Sequence, residues 1–318
     1  MSSTGPKRGA YRKHFTRNRR EPQSQSQDAK AVSVRPTHFL SLPLGQYPSL
    51  RTKVKTFQDE LVNTSSNAIA GLDPSIIINP RRLHLTLGVM ALQAEQSTSG
   101  SDPGKTVQTA LELLRSIQPR LVNEGALQVP LQRLGAFESK KGARVLWVSP
   151  DEEARQGESL EDRTHRERLM RVCNLVHRTF KDAGYITDTR PLKLHCTIVN
   201  TSHRKPSSKR HLSFSFDDIL RSPALTNIRI APSLTTSTTD VESTLLKGGA
   251  IREAEAVEEQ EGMVLAAPTR VLSSKEAERI VDVDMGTYSV SEIQLCVMGS
   301  HGPEDEYVSV GAVSLTEI

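Results

Sequence analysis

The sequence predicts an α+β fold of two similar lobes of antiparallel sheet, with helices outside and a cleft between the lobes. The first observation is a short pattern that occurs twice, apolar–His–x–Thr–apolar, at Leu83–Leu87 and Leu194–Ile198. The second is that each copy lies in the last strand of a strand–helix–strand unit, and the two units, over 38–92 and 143–199, have similar lengths. The third is an alternating hairpin at 287–315, typical of antiparallel strands.

Hydrophobic periodicity assigns the elements in order. We predict strands over 38–44, 83–92, 127–137, 143–149, 192–199, 227–231, 287–298 and 306–315. We predict helices over 47–62, 107–121 and 164–183, with a short helix after Asp217. Asp102-Pro103 offers a cap and a first-turn proline for the second helix, and Gly184 is placed to end the third.

Composition limits the class of protein. The 318 residues are 36% hydrophobic but only 4% aromatic, so the core must be mainly aliphatic. No run of eighteen apolar residues occurs, and we therefore expect no contact with a membrane. The three cysteines lie far apart and form no Cys-x-x-Cys pair, which argues against a structural zinc site or a disulfide framework. We expect a monomer.

Charge is distributed unevenly along the chain. Residues 1–20 carry seven basic side chains and no acid, so the rest has a net charge of −3, the difference between the total of +4 and +7. We predict a disordered basic tail over 1–35, followed by one domain over 36–318 with a polar and acidic insertion at 232–285. The tail fits a two-part nuclear import signal, nonspecific RNA contact or, less well, a mitochondrial presequence. We expect the protein in the nucleus, the cytoplasm or both.

The repeated motif carries the chemistry. Because side chains alternate along a strand, His84 and Thr86 share one face, and His195 and Thr197 share another. Two imidazoles facing across a groove can act as base and acid on a phosphodiester at neutral pH. Threonine hydroxyls can donate to the non-bridging phosphate oxygens. We expect neither a metal ion nor an organic cofactor, since the motif faces carry no cluster of Asp, Glu or Cys.

A structural role is the better interpretation for either histidine taken alone. The pairing of each with a threonine, twice, favours catalysis or phosphate binding. We expect His38, on the first strand, to be structural or to line the cleft. Five further histidines have no partners at ligand spacing, and we expect them at the surface: His165, His177, His203, His211 and His301. The cations that flank the motifs could attract phosphate or form a solvated rim: Arg81, Arg82, Arg190, Lys193 and Arg204.

Five runs of the chain resemble the two-histidine phosphoesterases, the superfamily of bacterial 2′-5′ RNA ligase and cyclic phosphodiesterases. The branch they resemble most contains A-kinase anchor protein 7 and activating signal cointegrator 1 complex subunit 1. The runs are HFLSLPL (38–44), LHLTLGVMAL (83–92), LHCTIVNT (194–201), FDDIL (216–220) and VSEIQLCVM (290–298). Together the resemblance covers about 36–230 and 285–318.

The resemblance implies a LigT-like fold, with His84 and His195 catalytic and Thr86 and Thr197 binding phosphate. The family's closing hairpin usually reads Asp-Gly-Tyr-Tyr, whereas this chain has Glu-Asp-Glu followed by Tyr307. Tyr307 is therefore a candidate substrate contact, as is Lys193 beside the second motif. The RNA-binding KH domain that precedes this region in the cointegrator subunit is not recognisable in residues 1–35.

Two functions follow from these observations. The first is a metal-independent phosphodiesterase that acts on RNA or oligonucleotides, at 2′,3′-cyclic phosphates or 2′-5′ linkages. The second is a non-enzymatic module that binds nucleotide or RNA and serves as a scaffold among the subunits of a transcription-coactivator or repair complex. Intact His and Thr in both motifs favour the enzyme.

Overall fold

The structure is a computed structural model that describes residues 1–2, 35–63, 69–94, 104–155, 157–230 and 279–317. Almost all of the predicted basic tail and most of the predicted insertion at 232–285 lie outside these ranges, and both stay predictions.

The described residues form ten strands and five α-helices. The strands are β1 (His38–Pro43), β2 (His84–Met90), β3 (Leu127–Pro130), β4 (Arg133–Ser139), β5 (Gly142–Ser149), β6 (Cys196–Asn200), β7 (Val281–Asp282), β8 (Thr287–Val290), β9 (Glu292–Val297) and β10 (Ser309–Ser314). The helices are α1 (Pro48–Asn63), α2 (Val107–Val122), α3 (Leu160–Asp182), α4 (Phe216–Arg221) and α5 (Pro223–Thr226).

One antiparallel sheet of eight strands contains both motifs. Its order is β10-β9-β1-β2-β6-β5-β4-β7, so the motif strands β2 and β6 lie side by side at its centre. The predicted repeat is confirmed: β1-α1-β2 and β5-α3-β6 are related by an approximate two-fold axis between the motif strands. The two predicted lobes are thus two halves of one continuous sheet. Leu85 pairs with Cys196 where the halves join.

Four predicted strands differ from the structure. The predicted strand 192–199 is shorter than expected, since β6 begins at Cys196 and His195 lies directly before it. The predicted strand 127–137 is two strands, since β3 pairs with β8 in a separate small sheet while β4 stays in the large one. Pro130 lies at this break, and proline has no N–H for a ladder. The predicted strand 287–298 divides in the same way into β8 and β9. The predicted strand 227–231 is wrong, because residues 227–230 form a turn after α5 with one isolated bridge.

The core lies on one side of the motif strands. Leu85, Leu87, Cys196 and Ile198 are fully buried and belong to the same apolar core as the inner face of α1. The histidines and threonines of the motifs alternate with these residues and are only half-buried. The alternation predicted from the sequence is therefore confirmed, and the polar motif face is the one that the core leaves open.

Each motif strand contains a β-bulge directly after its threonine. In β2, Thr86 pairs with Ser41 and Gly88 pairs with Leu40, so Leu87 is the extra residue. In β6, Ile198 is the extra residue between the pairs that Thr197 and Val199 make with β5. A bulge interrupts the ladder and bends the strand, which leaves a backbone carbonyl to be satisfied from elsewhere.

Each bulge carbonyl is bound by the helix of the opposite half. Gln58 of α1 donates from Nε2 to the Ile198 carbonyl at 2.8 Å. His177 of α3 donates from Nδ1 to the Leu87 carbonyl at 2.7 Å. The surface position expected for His177 is therefore wrong, since this side chain is only 8% exposed. Each half thus stabilises the motif strand of the other.

We expect Gln58→Met to lower the free energy of unfolding by about 0.5–1.5 kcal/mol, because the carbonyls of Ile78 and Ile198 lose a side-chain donor, while the Ile198 carbonyl keeps the N–H of Ile78. Urea denaturation followed by circular dichroism measures the change. Gln108→Met on the exposed face of α2 is the matched control, since Gln108 bonds only to Glu112. Equal stability of the two variants would contradict a role for Gln58 in joining the halves.

Candidate active site

Four motif side chains meet at the junction of the two halves: His84, Thr86, His195 and Thr197, here called the motif quartet. The antiparallel pairing of Leu85 with Cys196 sets His84 opposite Thr197 and Thr86 opposite His195. All four point away from the buried Leu85 and Cys196, because side chains alternate. Directly opposite residues have Cβ atoms about 4.5–5.5 Å apart. The structure therefore brings together every residue predicted from the two motifs.

Both histidines are held in the same tautomer by the backbone. Nδ1 of His84 lies 2.7 Å from the carbonyl oxygen of Arg82, and Nδ1 of His195 lies 2.9 Å from that of Lys193. A carbonyl oxygen only accepts, so Nδ1 carries the proton in each ring. Nε2 is then the basic nitrogen of the neutral ring, and it is the atom available to exchange a proton with a ligand.

Aromatic side chains pack against His84. The ring centroids of Phe39 and Tyr307 lie 4.8 Å and 5.2 Å from that of His84, with Tyr307 edge-on. The guanidinium of Arg82 lies 3.8 Å from the centroid of the Tyr307 ring. The predicted substrate contact Tyr307 is thus beside His84, on the segment between β9 and β10.

Arg82 fixes that segment against the first motif. Its side chain is only 7% exposed, and its Nη1 donates to the Asp305 carbonyl at 3.1 Å. Asn79 donates to the Asp305 carboxylate at 2.7 Å. Asp305 has a φ of 65°, a left-handed conformation that is uncommon for a residue other than glycine. Arg82 therefore has a structural role, in contrast to the solvated rim that its charge suggested.

The surroundings of His195 repeat this pattern. Phe137 of β4 packs edge-on at a centroid distance of 4.9 Å. The ammonium of Lys193 lies 4.9 Å from the centroid of Trp147 and 5.5 Å from that of Phe137. A cation two residues before each histidine therefore stacks on an aromatic ring that borders the motif quartet.

Burial lowers the basicity of both imidazoles. Desolvation lowers the pKa of His84 to about 4, and the nearby charges of His195 and Arg82 act in the same direction, while the bond to the Arg82 carbonyl opposes them. The pKa of His195 is also lowered, first by desolvation and then by the charge of Lys193. A perturbed pair of this kind on an open face is typical of a catalytic site.

A cavity of about 250 Å³ opens beside His84. Phe39, Tyr307, Arg81 and Arg82 line it, together with the edge of β9. Its size suits one small group of a ligand. The first half of the site therefore has a concave wall next to its imidazole.

Most of the flanking cations have partners that are not ligands. Arg81 pairs with Glu304, Arg190 with Asp188, and the buried Arg204 with the Gly71 carbonyl and Asp73. Lys193 remains exposed beside His195. Of the predicted contacts, Tyr307 and Lys193 therefore lie next to the motif quartet, and neither touches both histidines.

Sequence reasoning missed Phe39, Phe137 and Glu152. Glu152 lies in the loop after β5 and accepts the backbone N–H of Leu194 at 2.9 Å, directly before His195. Phe39 lies one strand away from its motif strand and Phe137 lies two strands away, so the approximate two-fold symmetry does not relate them and gave no signal for either.

Neither a metal cluster nor a membrane helix occurs in the part of the chain that the structure describes. No three His, Cys, Asp or Glu side chains in those ranges come together in a way that could hold a metal ion. No helix in the same ranges is long and apolar enough to cross a membrane.

Comparisons with known proteins agree with the motif runs. The family model of the AKAP7 2′5′ RNA ligase-like domain matches residues 36–227, which include both motifs. Activating signal cointegrator 1 complex subunit 1 of Mus musculus is 27% identical over 173 residues, which are 53% of this chain and 43% of that protein. This chain therefore spans less than half the length of that curated relative.

Solved structures of low identity also match. LigT of Escherichia coli in its apo form matches with a TM-score of 0.41 and 13% identity, covering 89% of this chain and 98% of LigT. TT0787 of Thermus thermophilus matches with a TM-score of 0.40 and 15% identity, covering 88% of this chain and 97% of that one.

The predicted resemblance is confirmed by the family match, which covers more than half of the chain, four of the five runs and the whole motif quartet, while the run at 290–298 lies outside the match. This chain belongs to the AKAP7 2′5′ RNA ligase-like domain family, a branch of the two-histidine phosphoesterases.

Proposed function

We propose that this chain is a metal-independent phosphodiesterase that acts on RNA or oligonucleotide phosphodiesters, at 2′,3′-cyclic phosphates or 2′-5′ linkages. The observation that supports this most is the motif quartet itself. Two imidazoles with Nδ1 bound to the backbone share one open face with two threonine hydroxyls. The family's description as 2′5′ RNA ligase-like supports the choice of substrate class.

The quartet supplies each group that hydrolysis of a phosphodiester needs. One imidazole takes a proton from water as the water oxygen bonds to phosphorus. The P–O bond to the leaving ribose oxygen breaks, and the second imidazole gives that oxygen its proton. Thr86 and Thr197 donate to the non-bridging oxygens, where negative charge increases in the transition state.

Two residues beside the quartet complete the proposed contacts. Lys193 is exposed next to His195, where its ammonium attracts the substrate phosphate. Tyr307 borders the cavity beside His84, where a ring and a hydroxyl suit a nucleoside. Substrate thus contacts a cation at one histidine and an aromatic wall at the other.

The second candidate is a non-enzymatic scaffold. The name of the mouse relative supports it, since that protein is a subunit of a complex. In this case the quartet binds nucleotide or RNA without turnover, and the partners are subunits of a coactivator complex. Nuclear location through the basic tail belongs to this proposal. A truncated chain that starts at Arg35 would lose nuclear enrichment and keep the binding site.

We expect His84→Gln and His195→Gln each to lower turnover by about 10²–10⁴-fold, because each removes one proton-transfer group. The double variant should be little worse than either single variant, since the two histidines act as one unit. Thr86→Val and Thr197→Val should each cost about 10²-fold, as for loss of one donor to a developing charge. Rates on a 2′,3′-cyclic nucleotide and a 2′-5′ dinucleotide measure these effects.

His211→Gln is the matched control for these variants. His211 is exposed and its Nδ1 also donates to a backbone carbonyl, that of Ser208, at 2.9 Å. It should keep full turnover. Near-normal turnover in a folded His84 or His195 variant would favour the scaffold instead.

We expect the pH profile of kcat/KM to have its maximum between about pH 4 and pH 6.5. Burial lowers the pKa of both imidazoles below the ordinary value of 6.5, that of His84 to about 4. Activity falls at low pH, where the imidazole that acts as base is protonated, and at high pH, where the imidazole that acts as acid is neutral. A maximum above pH 7, in enzyme that stays folded throughout, would contradict these directions.

We expect turnover to continue in excess EDTA, because the motif faces present imidazole and hydroxyl groups without a third protein ligand. Rates before and after dialysis against the chelator test this. Loss of activity that zinc or manganese restores would show that the phosphodiester chemistry depends on a metal.

A further inference from the structure

We propose that Glu152 is a positioning residue that acts on His195 through the peptide group between Lys193 and Leu194. This contact makes His195 the general acid of the pair and leaves His84 as the general base. The inference rests on the proposed function and assigns the two roles that the symmetry of the motifs leaves undefined.

One peptide group joins the carboxylate to the imidazole. The N–H of Leu194 donates to Oε1 of Glu152 at 2.9 Å. The carbonyl of that same peptide group, on Lys193, accepts the Nδ1–H of His195 at 2.9 Å. A peptide whose N–H binds an anion becomes a stronger acceptor at its oxygen, because hydrogen bonds in series polarise one another. The arrangement therefore favours the imidazolium form of His195.

The corresponding peptide group of the first motif has no carboxylate. The Arg82 carbonyl accepts the Nδ1–H of His84 at 2.7 Å. The N–H of that peptide group, on Leu83, donates to the neutral carbonyl of Pro80, at 3.4 Å. The guanidinium of Arg82 acts on this segment and disfavours an imidazolium at His84. Lys193 lowers the pKa of His195 in the same way. The difference between the two histidines is therefore the carboxylate of Glu152 on the peptide group before His195.

The loop that carries Glu152 is held by a cluster of four charges. Arg133 bonds to Asp151 at 3.1 Å and to Asp282 at 2.8 Å. Arg155 bonds to the same two carboxylates. The segment that Glu152 contacts, residues 191–195, is outside any helix or strand. A fixed loop thus determines the position of an irregular segment that ends at His195.

Several titratable groups face Glu152 from the elements around it. Lys193 and the Leu194 N–H stabilise its anion, whereas Asp151 and Glu153 in its own loop oppose it. Cys173 of α3 also lies within electrostatic range. Burial is the largest influence and raises the pKa of Glu152, so the bond to Leu194 is its main compensation.

Titration of the histidine rings by NMR tests the contact in the chain of 318 residues, without any substrate. Glu152→Gln keeps the size of the side chain and an acceptor oxygen but removes the charge. We expect the pKa of His195 to fall by roughly one, as for loss of a unit charge that acts across one peptide group in a half-buried site. The pKa of His84 should not change. An unchanged pKa of His195 would overturn the proposal.

Glu153→Gln is the matched control, since it removes the same charge from an exposed neighbour in the same loop. It should leave both histidine titrations nearly as in the parent protein. If both variants lower the pKa of His195 equally, a general field of the loop explains the effect and the peptide contact does not. That result would also overturn the proposal.

The assignment of acid and base is tested by the leaving group. In a p-nitrophenyl phosphodiester of a nucleotide, the leaving group is p-nitrophenolate, a stable anion that needs little protonation. We therefore expect His195→Gln to lose roughly tenfold or less on this substrate but about 10²–10⁴-fold on a ribose leaving group. His84→Gln should lose the same factor on both. The reverse pattern would assign the roles the other way and overturn the proposal.

Failure of the proposed function gives a different result from failure of this inference. A chain without turnover on any phosphodiester contradicts the enzyme, yet the NMR titration still decides whether Glu152 acts on His195. Turnover with an unaltered titration in Glu152→Gln contradicts the inference alone. In an active enzyme, Glu152→Gln should also move the alkaline limb of the kcat/KM profile to lower pH and leave the acid limb in place.

Discussion

The single backbone junction between β2 and β6 is the constraint on which the rest of the site depends. The two halves of the sheet share one registered pair there, Leu85 with Cys196. That pair alone defines which histidine faces which threonine. The bulges after the two threonines interrupt the ladder next to the junction, where the Ile198 carbonyl accepts the N–H of Ile78 at 3.1 Å. A side chain from each helix adds a bond to the bulge carbonyl of the other half. Both halves together therefore determine the geometry of the motif quartet.

Much of the fold and the motif face could be predicted from the sequence because the signals are local. Neighbouring residues of a strand point to opposite faces, so the five-residue motif at 83–87 is enough to predict that His84 and Thr86 share the half-buried face. The order of the repeat follows from hydrophobic periods in the same way. The bulges, by contrast, depend on how each motif strand pairs with its neighbour. The buried position of His177 follows from one of these bulges and could not be recognised from spacing on its helix.

Charge was the least reliable guide to the site. Arg82 and Arg204 look like surface cations in the sequence, but each is buried and bound to backbone carbonyls. Long side chains of this type can reach partners far along the chain, and only the tertiary structure selects the partner. Glu152 shows the converse. Nothing distinguishes it from Glu153 in the sequence, yet one binds the backbone before His195 and the other is exposed. The two motifs are alike in sequence, but the groups that bind the backbone next to them differ.

The bond between Arg82 and Asp305 limits how early in synthesis the wall beside His84 can form. These residues are 223 positions apart, and the segment around Asp305 forms the wall against which His84 packs. Both motifs leave the ribosome well before that segment does. A nascent chain therefore contains all four motif side chains while the first of its two histidines still lacks its aromatic neighbour Tyr307. The pocket beside His84 is completed only when translation has passed the turn between the last two strands.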